Sequence, residues 1–193
     1  MTPEVEASGL PGPRQGLARF RSMMLSGRLA VAATRGFDAG KKVKGRKRFI
    51  VTDTLGLLLA VHAVAASIQD RDGAKRPLLW TRLDHPGVKK IWTDQGFAGR
   101  LVQWAAQILS RDLEIVRKDP DQRAFQVQPK RWAVERTFSW LTAHRRLARD
   151  YETSPAHSET MIRWAMIGIM VRRLTRVGPA SRAGRHPLTR GSA

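Results

Sequence analysis

A carboxylate set among cations is the first candidate for chemistry. Glu135 lies in the stretch RWAVERTFSWLTAHRR at residues 131–146, one turn after Arg131 and directly before Arg136. Apolar residues recur in this stretch every three or four positions, which predicts a helix ending near Asp150. Glu135 lies beside the apolar stripe and is therefore expected at the rim of a core. The alternative is an ordinary surface helix in which an Arg131–Glu135 ion pair contributes only tenths of a kcal/mol.

A second carboxylate, Asp94, directly follows a predicted strand. The predicted strand Val88–Thr93 (VKKIWT) precedes it and Gly96 lies in the turn after it. In α/β proteins, functional sites lie at the carboxyl ends of strands. Carboxylates at a strand end and a helix rim can share Mg²⁺, which prefers oxygen ligands, and two such ions about 4 Å apart stabilise both oxygens of a phosphoryl transfer. The alternative is that Asp94 only caps the turn.

The chain is strongly basic, with 35 Lys and Arg against 16 Asp and Glu and a net charge of +19. This charge favours a nucleic acid as partner, although a non-catalytic RNA-binding protein of ribosomal type fits it equally well. The densest group lies in the glycine-punctuated stretch Gly36–Arg48, which is predicted to be a loop. We expect this loop to contact the phosphate backbone of DNA; the alternative is a solvated linker. Its basic residues are Lys41, Lys42, Lys44, Arg46, Lys47 and Arg48.

Composition also excludes several classes. The chain has no cysteine, so it has neither disulfides nor thiolate metal sites, and its five histidines show no close pairing that would indicate zinc. The most apolar run, Met161–Val171, is too short to span a membrane and contains Arg163. A cytoplasmic protein is therefore the expectation.

Strands and helices alternate along the segments that must position the two carboxylates. This order predicts an α/β fold, with a mixed sheet of a hairpin plus parallel strands flanked by helices. The predicted segments are the hairpin strands Phe49–Thr54 and Leu57–Val64, a helix from Gln69 to Leu83 capped by Asp70 or Asp72, the strand Val88–Thr93, a helix over Arg100–Ser110, the strand Leu113–Arg117, the Glu135 helix, and a last helix capped by Ser158 or Thr160 and ending at Arg176. Residues 1–34 are expected to be irregular apart from a short strand at Arg28–Thr34, and 177–193 to form a disordered basic tail.

Three stretches of the chain carry a family resemblance. They are TDQGFAGRL at 93–101, RWAVERTFSWL at 131–141 with RRLARDYE at 145–152, and the run from GFDAGKKVKGRKR to IVTDTLGLLLAV at 36–61. These stretches resemble the transposases of small bacterial insertion sequences, members of the DDE superfamily with an RNase H-like core, here expected over 35–176.

The resemblance implies cleavage and transfer of DNA strands. In the family, three carboxylates bind two Mg²⁺ (or Mn²⁺) ions, and Asp94 and Glu135 match two of them. The resemblance also implies that Arg131 steadies a phosphate or Glu135, and that the partners are the DNA of the element ends and of the target. It leaves a homodimer open and places the protein in the bacterial cytoplasm, associated with the nucleoid.

The sequence departs from the family pattern at the first carboxylate. That acid sits on the first strand of the family's core, but this chain has no Asp or Glu between Glu6 and Asp38. We therefore expect a degenerate first strand, a foreign or frame-shifted start over 1–34, and impaired catalysis in a truncated transposase. Asp53 is the nearest surrogate ligand. If Arg28–Thr34 does not fill the place of the first strand, unpaired strand edges are expected to promote aggregation.

Overall fold

The computed structural model describes the backbone of residues 17–26, 34–116 and 129–175, with side chains at 17–20, 34–116 and 133–175. Its strands are β1 (Leu17–Ser26), β2 (Gly36–Asp38), β3 (Val43–Asp53), β4 (Leu58–Ala65), β5 (Lys90–Thr93) and β6 (Asp112–Ile115). Its helices are α1 (Asp70–Asp84), α2 (Arg100–Leu109), α3 (Pro129–Thr142) and α4 (Pro155–Leu174). The predicted α/β class is confirmed.

The strands form one mixed sheet in which β1 is central. β1 pairs antiparallel with β3 on one side and parallel with β5 on the other. β5 continues in parallel to β6, while β3 pairs antiparallel with both β2 and β4. The predicted hairpin is therefore β3–β4, and its turn uses Gly56 at φ 82°, a left-handed conformation that favours glycine.

The first core strand lies upstream of the expected place. We expected it at Arg28–Thr34, whereas β1 covers Leu17–Ser26, inside the stretch expected to be irregular. Residues 28–33 lie outside the described part of the chain. Because β1 pairs with β3 from Ala18 to Ser26, the central position of the sheet is filled and the expected gap is not present.

Helices cover both faces of the sheet and enclose one apolar core on each. Under α1 and α2 lies a cluster that includes Phe20, Phe49 and Ile91. Under α3 and α4 lies a second cluster that includes Ile50 and Leu141. Neighbouring residues Phe49 and Ile50 thus serve opposite faces, as expected for a strand buried on both sides.

The ends of three helices differ from the sequence prediction. α3 ends at Thr142 instead of near Asp150, and turns follow it. α4 starts earlier than predicted, because the side chain of Ser154 caps it by accepting a hydrogen bond from the amide of Ala156. α1 is preceded by Gln69, without a side-chain cap. None of the described helices is long and apolar enough to cross a membrane.

A partly buried carboxylate fastens α4 to the sheet. Glu159 Oε1 lies 3.0 Å from His62 Nδ1 and accepts a hydrogen bond from the Ala63 amide at 2.9 Å. Burial alone would raise the pKa of Glu159, but the contacts with His62 and Ala63 and the charge of Arg163 outweigh burial and hold the pKa below its usual value. A group with a depressed pKa in the folded state stabilises the fold at neutral pH.

We expect Glu159→Gln to destabilise the chain at neutral pH and to matter less in acid. The contribution of Glu159 is complete above the ordinary pKa of 4.5 and is lost as the pH falls through its lower value in the folded chain. Urea unfolding of both proteins across this range should show the difference in free energy of unfolding shrinking below pH 4.5. A difference that stays constant throughout the range would contradict this assignment.

Candidate carboxylate site

Asp94 lies immediately after β5, at the carboxyl edge of the parallel strands. Its Oδ1 accepts a hydrogen bond from the Gly96 amide at 3.2 Å and so caps the single 3-10 turn Gln95–Phe97. The structure therefore contains the turn cap that we considered as the alternative. This cap uses one hydrogen bond to Oδ1, and Asp94 remains half-buried at the sheet edge. Both functions are chemically compatible, because a carboxylate offers about four lone pairs.

Glu135 is half-buried on α3, which packs against β1, β3 and β5. One flank of α3 is held by the β3–β4 turn, since Thr137 Oγ1 donates to the Gly56 carbonyl at 2.6 Å and Arg136 Nη2 to the Leu55 carbonyl at 2.8 Å. Residues two apart on a helix point about 160° apart, so Glu135 lies on the flank opposite Thr137. That flank faces away from the β3–β4 turn. Asp94 and Glu135 are therefore carried by elements in contact.

The register of β1 identifies the position beside Asp94. Arg19 pairs with Trp92 at the end of the parallel ladder. Continuing both chains by two residues at the same spacing would bring position 21 level with Asp94. Arg21 also lies opposite Ile50, whose side chain belongs to the core under α3 and α4. Position 21 is thus on the face of the sheet that is covered by α3, the helix that contains Glu135. The strand itself reads LARFRSMMLS and contains no acidic residue.

Asp53 is not brought to Asp94. It pairs with Ala18, which lies beside Ile91, so two strand spacings and three residues along the sheet separate Asp53 from Asp94. This corresponds to about 14 Å between the two backbones. Side chains that each reach roughly 4 Å cannot share one Mg²⁺ with ligand distances near 2 Å across that gap. Asp53 Oδ1 instead accepts hydrogen bonds from the backbone amides of Leu55 and Leu57, both at 2.8 Å, and so stabilises the β3–β4 turn.

An arginine occupies the sheet face between these acids. Arg19 is buried, donates from Nη1 to the Thr54 carbonyl at 3.0 Å and lies 5.2 Å from the ring centroid of Trp92. Burial, reinforced by the charge of Arg136 and partly offset by Asp53, lowers the pKa of Arg19. The sequence contains no signal for this buried arginine, because its position beside Trp92 depends on the pairing of β1 with β5.

Three of the six predicted DNA-contacting residues of the basic stretch are buried. The expectation of a solvent-exposed loop is wrong here, because residues from Val43 onward form β3. Arg46 Nε lies 2.8 Å from Asp150 Oδ2, and Arg48 Nη1 donates to the Leu147 carbonyl at 3.1 Å. Lys47 Nζ contacts Asp38 at 3.1 Å and Asp70 at 3.0 Å. Carboxylates and carbonyls of the fold thus bind the cations that we expected to bind DNA.

The other basic candidates differ in position. The side chains of Lys41, Lys42 and Lys44 are exposed around the β2–β3 turn, where Lys42 adopts φ 53°. The Lys41 amide donates to Asp38 Oδ1 at 3.0 Å, which closes that turn. Arg131 lies in α3, but its side chain is outside the described part of the structure.

Comparison with known proteins agrees with this architecture. The sequence profile of the family described as "Transposase DDE domain" matches residues 5–170. A search of curated proteins found no match. The family match covers most of the chain and extends over part of the segment that we expected to be foreign. The chain belongs to the transposase DDE domain family and is therefore a protein of DNA transposition, for which DNA is the implied partner.

The family normally uses divalent metal ions, and the donor set can be tested for their fit. Among the described side chains, no group of three or more His, Asp or Glu residues is placed to hold a metal ion. Asp94 and Glu135 provide two carboxylates, while the strand that would carry the third provides none. The described residues therefore do not fit the family's complete two-metal site.

Proposed function

We propose that this chain is a transposase-type DNA-binding protein in which strand cleavage and transfer is impaired. The observation that carries the proposal is the absence of any acid from β1, the central strand that pairs directly with the strand before Asp94. In this proposal Asp94 and Glu135 are the two remaining ligands of Mg²⁺ or Mn²⁺. Loss of one carboxylate removes both ligand oxygens and the negative charge that positions a second ion.

A non-catalytic nucleic-acid-binding role is the second candidate. The net charge of +19 supports it independently of the carboxylates. Nicking of supercoiled plasmid DNA separates the two. Weak Mn²⁺-dependent nicking that disappears in Asp94→Asn and in Glu135→Gln supports the impaired transposase. Nicking that survives both substitutions contradicts the assignment of these residues, and a complete absence of nicking leaves binding as the function of the unaltered chain.

We expect the exposed lysines of the β2–β3 turn to contribute to the DNA-binding surface. Replacing Lys41, Lys42 and Lys44 together by Gln should reduce the magnitude of the negative slope of log affinity against log salt concentration by about 3, since each phosphate contact contributes about 0.9. Fluorescence anisotropy with a labelled duplex over a salt series measures this slope. A triple variant with an unchanged slope would show that DNA binds elsewhere.

Lys75→Gln is the matched control for these substitutions. Lys75 is also an exposed lysine, but its Nζ lies 2.9 Å from Asp72 on α1. Its substitution is expected to leave the salt slope unchanged.

A further inference from the structure

The outward side of α4 carries an apolar stripe. The inward side of this helix packs on the sheet through the buried residues Ile162, Ala165 and Met166. Almost opposite to them around the helix axis lie four large apolar side chains. These are Trp164, 67% exposed, Ile167, 48%, Val171, 51%, and Leu174, 86%. A helix that is apolar all round is normally buried all round, so the outward side of α4 indicates a partner that covers it.

The stripe has the spacing of a seam between two helices. Its members follow one another after three, four and three residues, which are the a and d positions of a heptad. This spacing is the same when it is read from either end, and its centre lies at position 169. A second α4 that runs antiparallel about this centre places Trp164 level with Leu174 and Ile167 level with Val171. The stripe is therefore complementary to its own copy, as a two-fold interface requires.

Gly168 lies in the middle of α4, directly beside Ile167. A glycine inside a helix costs about 1 kcal/mol relative to alanine and usually has a packing reason. Among the described residues, a Cβ at this position would meet only the Arg172 side chain of the same helix, 3.9 Å away. The reason is thus not found within the described chain. A missing side chain beside the stripe lets the backbone of a second helix approach closely.

The size of the stripe is sufficient for a weak dimer. Pairing would remove the exposed parts of four large side chains of each copy from water. The area lost by the two copies together is on the order of 1,000 Å², which is about the minimum for a specific interface. A tryptophan and a leucine are the most exposed members, and a tryptophan is a frequent anchor of protein interfaces.

Charge selects the direction of the two helices. Parallel helices would bring Arg163 and Arg172 level with the same residues of the second copy, and like charges that face each other are unfavourable. Antiparallel helices centred on position 169 instead place Arg163 level with Thr175 and Arg172 level with Met166 of the second copy. The antiparallel pair therefore avoids these two repulsions.

We propose that two copies of this chain pair through antiparallel α4 helices, with Trp164 of each copy against Leu174 of the other and Ile167 against Val171. This pairing goes beyond the proposed function, because it uses neither DNA nor the carboxylates. Its contacts are apolar, and salt screens the repulsion between two chains of charge +19. Association should therefore strengthen with salt, whereas association bridged by nucleic acid weakens.

Sedimentation velocity of the full chain tests this pairing after nuclease treatment, over a concentration series at low and high salt. The unaltered chain is expected to shift from monomer to dimer as its concentration rises. Ile167→Lys and Val171→Glu should each weaken association about tenfold or more, because each places a charge in the apolar seam. Both positions are about half exposed, so the variants should keep the fold, which circular dichroism checks. Mixing the two variants should restore association, since antiparallel pairing places the opposite charges against each other.

Ile108→Glu is the matched control. Ile108 is 65% exposed on α2, which covers the other face of the sheet, and its substitution is expected to leave association unchanged. An unaltered chain that stays monomeric overturns the proposal and leaves the stripe to a different partner. Association that survives both α4 substitutions also overturns it, and a mixture that does not associate overturns the antiparallel arrangement. These results leave the proposed function intact, because plasmid nicking and DNA binding test it separately.

Discussion

Replacing Arg21 by Asp is expected to give the chain metal-dependent nicking activity well above that of the unaltered protein. The parallel register of β1 and β5, continued two residues beyond its last pair Arg19–Trp92, brings position 21 level with Asp94. The pairing of position 21 with Ile50 puts it on the sheet face that α3 covers. An Asp there adds the third carboxylate to Asp94 and Glu135 and removes a positive charge. Because a metal ion contributes several kcal/mol of transition-state stabilisation, the gain should be about a hundredfold or more. The rate of plasmid nicking in Mg²⁺ and Mn²⁺ measures it.

Two companion variants show whether the new carboxylate is the cause. Arg21→Asn removes the cation without adding an acid and should not gain activity. Arg21→Asp combined with Asp94→Asn should lose the gain, because the site then again holds two carboxylates instead of three. If Arg21→Asp folds, binds DNA and nicks no faster than Arg21→Asn, the position of the missing acid has been assigned incorrectly.

Local patterns were sufficient for most of the fold. The β-rich runs around Leu55-Gly56 predicted the hairpin that the structure contains as β3 and β4. Apolar spacing predicted α2 almost to the residue. These elements follow from periodicity because each buries a regular apolar face, which is a local property of the chain.

The central strand could not be found in this way. The segment Leu17–Ser26 has arginines at positions 19 and 21 and lies near several glycines and prolines, whereas Arg28–Thr34 has the more typical apolar run. β1 is defined by its long-range pairing with β3 and β5. Pairing partners distant in sequence leave no periodic signal in the strand itself.

The prediction that Arg46 and Arg48 are exposed was wrong for a related reason. A cluster of six basic residues within eight positions is usually exposed, and the sequence analysis treated it so. Arg46, Arg48 and Ile50 lie on the same face of β3, toward α3 and α4, and this spacing of two residues indicates a strand. The acidic pair Asp150 and Glu152, in an otherwise basic region, was the available signal, but nothing in the sequence shows that it meets β3.

Removal of Asp150 is expected to destabilise the fold more than any surface substitution. Asp150 is buried, with Arg46 Nε 2.8 Å and Arg48 Nη2 3.6 Å from its carboxylate oxygens. Burial already lowers the pKa of Arg48, and Asp150 offsets that effect in part. Asp150→Ala leaves two buried guanidinium groups without their shared counter-ion, which should cost about 3–5 kcal/mol of the free energy of unfolding. Urea unfolding followed by circular dichroism measures this loss.

Asp72→Ala is the surface comparison, since Asp72 pairs with Lys75 at 2.9 Å while both side chains are largely exposed. It should cost less than about 1 kcal/mol. Asp150→Asn keeps the volume but removes the charge, and should be nearly as destabilising as Asp150→Ala if charge is the cause. Should Asp150→Asn instead resemble Asp72→Ala, the packing of residues 143–153 over β3 would depend on hydrogen bonds from Arg46 and Arg48 to the carbonyls of Glu152 and Leu147. Charge compensation would then be a minor part of what holds this segment on the sheet.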